Sequence, residues 1–324
     1  MRQVPNILKP IYEMSKNSLH NRLQSAIINF QLHPLRNREN LFYIIGLKGS
    51  LHLIQVCLRY IPKTEDVVLI LNGMDACEID YARKNLNVTR IVIIKEQLKH
   101  GEIMDHLFSN MKKNFGILDY DCFVMDGTYF EKIKQVEENS LGNVLFMYHN
   151  PVLNLEAPQT HFMYFNAPLA RQIIKEYKIK CSSKRYKPLS NKIKNKMREI
   201  GIDENNFLED FKDYLDTMRV LFSIGIAEGF PFNWIDRDID NNANKNTVFH
   251  PGGVSDPRIL HNRFRMRGSY FWQSALAMNP DQSLRNYYLQ LFGNLPSLSY
   301  LKEQLLLEGH TGPAFFDSVE RILS

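Results

Sequence analysis

The chain has 324 residues, 44% of them hydrophobic and 23% charged, with a formal net charge of +5. This is the composition of an ordinary soluble globular protein, long enough for one large domain with appendages or two modest ones. No apolar run reaches the length of a membrane span. The stretch "MRQVPNILKPIYEM" has neither the long apolar core nor the small-residue cleavage site of a secretory signal. The cysteines (Cys57, Cys77, Cys122, Cys181) are scattered without a CxxC pair, so reduced thiols in a cytoplasmic protein are expected.

The charge is uneven. From Arg171 to Arg198, "RQIIKEYKIKCSSKRYKPLSNKIKNKMR" sets eleven Lys and Arg against one acid, Glu176, and without it the chain is net acidic. Such a block suggests a local partner, not a general nucleic-acid coat.

Taken in order, residues 1–40 read as a partly helical N-terminal extension. "LFYIIGLKG" is a continuous apolar strand of the kind buried on both faces of a parallel sheet. "SLHLIQVCLRYI" carries Leu51, Ile54, Leu58 and Ile61 at helical spacing. "DVVLILNG" and "RIVIIKE" are further strands, and "MDACEIDYARKNL" and "HGEIMDHLFSNMKKN" further helices. "FGILDYDCFVMDGTYF" (115–130) follows as a fourth strand and its turn. Strand and helix alternate as in right-handed parallel βαβ units, whose ligands bind beyond the carboxyl ends of the strands. That rule makes Lys48, Asn72, Lys95 and Asp119–Asp121 candidates for one cleft.

Beyond it, "NVLFMYH" and "THFMYFNAP" read as strands, and the basic block as helix plus loop. "NNFLEDFKDYLDTMRVLFSIGIAEGF" reads as one long helix, "NNANKNTV" as a loop and "FHPGGVS" as a turn. "RFRMRGSYFW" alternates like a strand, and the tail from Ser274 reads as two or three amphipathic helices. The expected units are 1–40 as the extension, 41–267 as the catalytic domain and 268–324 as a helical C-terminal region.

Two carboxylates at i and i+2 converge if the chain turns at the strand end, and then suit one hard divalent cation, Mn²⁺ or Mg²⁺. Solvated loop acids are the plain alternative for Asp119 and Asp121. "MDGT" invites a different reading, the Asp-x-Asp-Gly-Thr of haloacid-dehalogenase-type phosphatases. Val124 stands where that nucleophile belongs, and βα units precede the motif instead of following it. Asp126-Gly127-Thr128 is better read as a turn that caps the helix "YFEKIKQVEEN".

This order resembles the GT-A glycosyltransferases over roughly residues 41–265. "LILNGMDACEIDYARK" stands where that family has its nucleoside-binding turn. "HGEIMDHLFSNMKKNFGILDYD" stands at the helix leading into the metal motif. "HFMYFNAP" matches the strand that lines the acceptor side, and "HPGGVS" a late His-x-Gly-Gly turn. Asn72 departs from the Asp that many members carry, and no Gln/Arg-x-x-Arg-Trp signature follows. The resemblance implies a mixed α/β sheet of nucleotide-diphospho-sugar transferase type, flanked by helices. It implies a metal-dependent glycosyltransferase using a UDP-, GDP- or dTDP-sugar donor, and a glycan, lipid-linked or protein acceptor.

On that reading Asp121 contacts the metal and Asp119 the metal or the donor ribose. His250 is the third metal ligand or else a simple turn histidine. Asn72, Gly73 and Asp75 hold base or ribose, or else serve as turn and N-cap. Lys48 and Lys95 meet donor phosphates or solvent. Arg263, Arg265 and Arg267 share a strand face that binds pyrophosphate, or form a solvated basic edge. Asp216, and behind it Asp213, is the candidate base. The basic block is a solvated loop, an acceptor clamp or a peripheral contact with the inner face of a membrane; with only Tyr177 and Tyr186 it makes no nucleic-acid stacking platform. Two other readings are a catalytically silent nucleotide-sugar-binding protein and a nucleic-acid-binding module built on residues 171–198.

Overall fold

The computed structural model describes residues 22–207, 213–237, 247–309 and 311–324. Residues 22–32 form helix α1, and residues 1–21 of the expected extension lie outside the described residues. The four apolar runs form β1 (Leu41–Leu47), β2 (Asp66–Asn72), β3 (Arg90–Ile94) and β4 (Phe115–Leu118). They are joined by α2 (Leu51–Tyr60), α3 (Ala76–Asn85) and α4 (His100–Asn110). Next come β5 (Phe123–Val124), α5 (Thr128–Lys134), β6 (Gly142–Val144), β7 (Met147–Asn150), β8 (Leu155–Pro158) and β9 (Phe162–Phe165). Helices α6 (Ala167–Tyr177), α7 (Asn191–Arg198) and α8 (Arg219–Ala227) precede β10 (Phe232–Trp234) and β11 (Val248–Phe249). The chain ends in α9 (Arg263–Met278), α10 (Gln282–Phe292), α11 (Leu298–Leu307) and α12 (Pro313–Leu323).

The central sheet has seven strands in the order β10-β6-β9-β4-β1-β2-β3. β1 pairs parallel with β2 and β4, and β2 parallel with β3. β9 runs antiparallel between β4 and β6, so the sheet is mixed. Alternate residues of each strand point to opposite faces, as the pleat requires. Tyr43, Val68, Ile70 and Phe115 join the core under α4, α6 and α8. Phe42, Ile44, Leu69 and Leu71 join a second core under α2, α9, α10 and α12. Both faces are thus covered, which explains why the strands read as unbroken apolar runs. No helix among the described residues is long and apolar enough to cross a membrane. Cys57, Cys122 and Cys181 are buried free thiols, and Cys77 is exposed.

Two expectations need correction. Residues 263–272 are the start of α9, not a strand. The Asn262 side chain accepts the Arg265 N–H and caps the helix, and Met266, Phe271, Trp272 and Ala275 bury its inner face. The alternating arginines span the first two turns of α9: Arg263 is exposed, Arg265 reaches the glycine turn and Arg267 lies half-buried over the Phe315 ring. The long helix expected over 205–230 is also shorter: α8 starts only at Arg219. Met218 and Asp213 adopt left-handed conformations, at φ 62 and 60. Asp213 Oδ1 accepts the Lys187 N–H and Asp216 Oδ1 accepts the Thr217 N–H. Such side-chain-to-backbone bonds compete with helical pairing. Residues 208–212 of that segment, and most of the loop "NNANKNTV", lie outside the described residues.

Candidate active site

The parallel strands β1, β2 and β4 end on one edge of the sheet, where a cavity of about 430 Å³ opens. Asn72, His100, Asp119, Asp121, His161 and His250 are among its lining residues, with Arg265 at one side.

Two antiparallel ladders build its centre. β4 pairs with β9 so that Leu118 faces Phe162. One step further, the Asp119 N–H donates to the His161 carbonyl at 2.8 Å, and His161 Nδ1 donates to Asp119 Oδ2 at 3.1 Å. β5 pairs with β11 so that Phe123 faces Phe249. That pairing brings His250 Nε2 to 3.4 Å from Asp121 Oδ1. The two imidazoles stack, with ring centroids 3.8 Å apart and planes at 29°. Each acid of the Asp-Tyr-Asp turn therefore receives one histidine. Between them, the Tyr120 hydroxyl donates to the Val254 carbonyl and ties this turn to the Pro-Gly-Gly turn.

The second turn is set by glycine. Gly252 and Gly253 have φ of 78 and 70, conformations that L side chains resist. α9 packs directly on them: a Cβ at Gly268 would lie 2.7 Å from the Gly252 carbonyl oxygen. Arg265 reaches back from α9 to the Gly253 carbonyl at 3.1 Å and to the Ser255 hydroxyl.

Burial and charge oppose each other here. Asp121 and His250 side chains are only 10% and 17% exposed. Burial alone raises the Asp121 pKa, but the neighbouring His250 outweighs it and holds the carboxyl below its ordinary value. Burial alone lowers the His250 pKa, but the Asp121 charge and hydrogen bond outweigh it and hold the imidazole above its ordinary value. His100, at the start of α4, is shifted the other way: burial lowers its pKa against the pull of Asp119 and Asp216.

The donor set suits a divalent cation. Ligand atoms of Asp119, His161 and His250 all lie within 4.8 Å of one another. Mixed carboxylate and imidazole ligands fit Mn²⁺ and related ions better than Ca²⁺, which takes oxygen alone.

Of the residues expected at the site, the structure brings Asp119, Asp121, His250, Asn72 and Arg265 to this cavity. Asn72 is spent on the backbone, its amide pairing with both the N–H and the carbonyl of Leu98 at 2.8 Å. Gly73 donates to the Ile94 carbonyl. Asp75 caps α3 by accepting the Cys77 and Glu78 N–H groups, and also takes the Tyr287 hydroxyl and an ion pair with Lys48 at 3.3 Å. Lys48 lines an adjoining cavity. Lys95 and Arg263 are exposed and line neither cavity. Asp216 pairs with Lys184 at 2.9 Å, and Asp213 lies 3.9 Å from Arg185; neither lines the cavity. Asp126 takes the Thr128 N–H and hydroxyl at the entrance to α5, as a capping turn should.

His161 and His100 were missed. His161 stood at the head of "HFMYFNAP", and only the antiparallel register of β9 on β4 carries it to Asp119. His100 opens the helix leading into β4 and had no spacing signal.

Comparison with known proteins bears on the same part of the chain. Residues 18–170 match the StrH glycosyltransferase N-terminal domain. A stretch of 84 residues, 26% of the chain, is 31% identical to the dTDP-dihydrostreptose–streptidine-6-phosphate dihydrostreptosyltransferase of Streptomyces griseus, and covers 22% of that protein. The glycosyltransferase GlyE of Streptococcus pneumoniae TIGR4 is similar in structure at 9% identity and a TM-score of 0.38, over 86% of this chain and 66% of that one. The chain thus spans less than two thirds of the length of these relatives. The segment similar to a glycosyltransferase domain contains Asp119, Asp121 and His161, while His250 and the C-terminal helices lie beyond it.

Proposed function

We propose that the chain is a metal-dependent glycosyltransferase of GT-A type that moves a sugar from a nucleoside-diphosphate donor to an acceptor hydroxyl. The observation that carries this is the meeting of Asp119, Asp121, His161 and His250 beyond the strand ends, within a chain whose residues 18–170 match a glycosyltransferase domain. On this reading Asp119, Asp121, His161 and His250 hold Mn²⁺ or Mg²⁺. A cation held there would supply Lewis-acid stabilisation of the departing diphosphate.

The protein's own groups do the rest. Arg265 donates to the neutral Gly253 and Ser255 oxygens and presents its charge to a phosphate. His100 lines the cavity with its imidazole held neutral, and so takes the acceptor proton. The dTDP-sugar named for the Streptomyces griseus relative makes dTDP the first donor nucleotide to test, ahead of UDP and GDP.

A cytoplasmic protein with a peripheral membrane contact completes the reading. Lys175, Lys178, Lys180 and Lys187 of the basic block are exposed without an acidic partner among the described residues. Lys192, Lys196 and Arg198 are already neutralised by Glu176, Glu228 and Glu204.

The test is release of sugar from dTDP- and UDP-sugars with and without Mn²⁺. Metal-dependent turnover that disappears in Asp121→Ala supports the reading. Donor binding without turnover in any metal supports a catalytically silent protein instead.

A further inference from the structure

A second cavity of about 480 Å³ adjoins the first and shares Leu47, Gln97 and Ser255 with it. Its other walls are Lys48 after β1, Asp256 and Arg258 after the glycine turn, and Leu291 and Phe292 at the end of α10.

The two chambers differ in charge. In the outer one each cation has its own acid. Lys48 lies 3.3 Å from Asp75, and Arg258 binds Asp256 through two nitrogens at 3.0 and 2.8 Å. The inner one holds the acid–histidine cluster, together with Arg265, which among the described residues bonds only to neutral oxygens. A diphosphate and its cation belong where charge is unbalanced; a neutral, flat group belongs in a charge-balanced chamber with apolar walls.

The outer chamber also has planar surfaces. The Arg258 guanidinium lies 5.5 Å from the centroid of the Phe292 ring, and both groups stack well on aromatic rings. Gly49 backs that ring so closely that a Cβ there would lie 2.4 Å from it, which fixes the ring's position. Asn72 and Asp75, expected to hold base or ribose, are spent on Leu98 and on the cap of α3.

We infer that the outer chamber is the nucleoside compartment of the donor site, with Arg258 and Phe292 as its specificity-determining wall; this rests on the glycosyltransferase reading above. The wall comes from the C-terminal half of the chain, outside the segment similar to a known glycosyltransferase domain.

Calorimetric titration of the full chain with Mn²⁺ present tests it, using dTDP, UDP, GDP and inorganic pyrophosphate as ligands. Arg258→Ala alters a side chain that is 54% exposed, so its melting temperature should stay near that of the wild type. Phe292→Leu keeps an apolar group against Gly49. Each variant should weaken the best nucleoside diphosphate by on the order of tenfold, while pyrophosphate affinity changes less than about twofold. Unchanged nucleoside-diphosphate affinity in both variants overturns the inference and leaves the glycosyltransferase reading standing. So does equal weakening of pyrophosphate, which would place the wall at the phosphates. A wild-type protein that binds no nucleoside diphosphate overturns both.

Discussion

His250 Nε2 lies 3.4 Å from Asp121 Oδ1, although β11 and the strand before Asp121 are far apart in sequence. The short β5–β11 ladder makes this contact, and the glycine turn packed on α9 holds it. Asp121 is buried and His250 nearly so, and both are shifted toward their charged forms, so the contact is an ion pair whose strength depends on pH.

The sign follows from linkage. Asp121 has a lowered folded pKa, so its contribution is present above the unfolded carboxylate value and is lost as pH falls through the folded one. His250 has a raised folded pKa, so its contribution is complete below the ordinary value of 6.5 and is lost as pH rises through the folded one. Metal-free protein should therefore lose melting temperature as pH climbs above 6.5, and His250→Gln should flatten that limb. A metal competes with the proton for imidazole, so stabilisation by Mn²⁺ should grow over the same range. Calorimetric scans from pH 5 to 9, with and without Mn²⁺, measure both trends.

Gly268→Ala should damage the site from a distance. The added methyl would lie 2.7 Å from the Gly252 carbonyl and 2.8 Å from the Gly253 carbonyl, both backbone atoms. Overpacking of this kind costs about 1–3 kcal/mol. Chemical denaturation should show that loss, and Mn²⁺ affinity should fall with it as His250 is displaced.

The turn after β1 rests on one buried acid. Glu78 accepts the Gly49 N–H at 2.7 Å, the Tyr288 hydroxyl at 2.8 Å and the Asp75 N–H at 3.3 Å. Glu78→Ala orphans these donors and should cost about 3 kcal/mol or more, read as a lower denaturation midpoint. Tyr288→Phe, which removes a single hydroxyl, should cost less.

His161 and His100 line the same cavity in different roles. His161→Ala removes a proposed metal ligand and should weaken Mn²⁺ by at least about tenfold, with little change in the melting temperature of metal-free protein. His100→Gln removes the proposed proton acceptor and should lower kcat by roughly a hundredfold or more while donor affinity holds. Paired titration and steady-state kinetics on the two variants check this division; equal effects on metal affinity would contradict it.

The place of Asp119 and Asp121 at the strand ends was legible because apolar β1–β4 runs fix where a parallel sheet ends, and the two acids follow the last of them. His250 was legible because Pro-Gly-Gly marks a turn whose backbone few residues can adopt. His161 was not, since its place depends on an antiparallel strand inserted between β4 and β6, and local spacing carries no trace of strand order. The arginines after Asn262 misled for a similar reason: their partners, the Gly253 carbonyl and the Phe315 ring, come from other elements, and the buried face of Met266, Phe271, Trp272 and Ala275 declares the helix. Asn72 ends β2 and Asp75 follows it, which is why base or ribose was expected there. Their partners, Leu98 and Tyr287, are contributed by other elements.

The most direct test of the central claim is calorimetric titration of dTDP and UDP into metal-free protein and into protein saturated with Mn²⁺. The acid–histidine cluster as a cation-and-diphosphate site predicts binding that strengthens at least about tenfold with Mn²⁺ and loses that gain in Asp121→Ala. Nucleotide affinity that is the same with and without Mn²⁺, or a metal gain that survives Asp121→Ala, would contradict it.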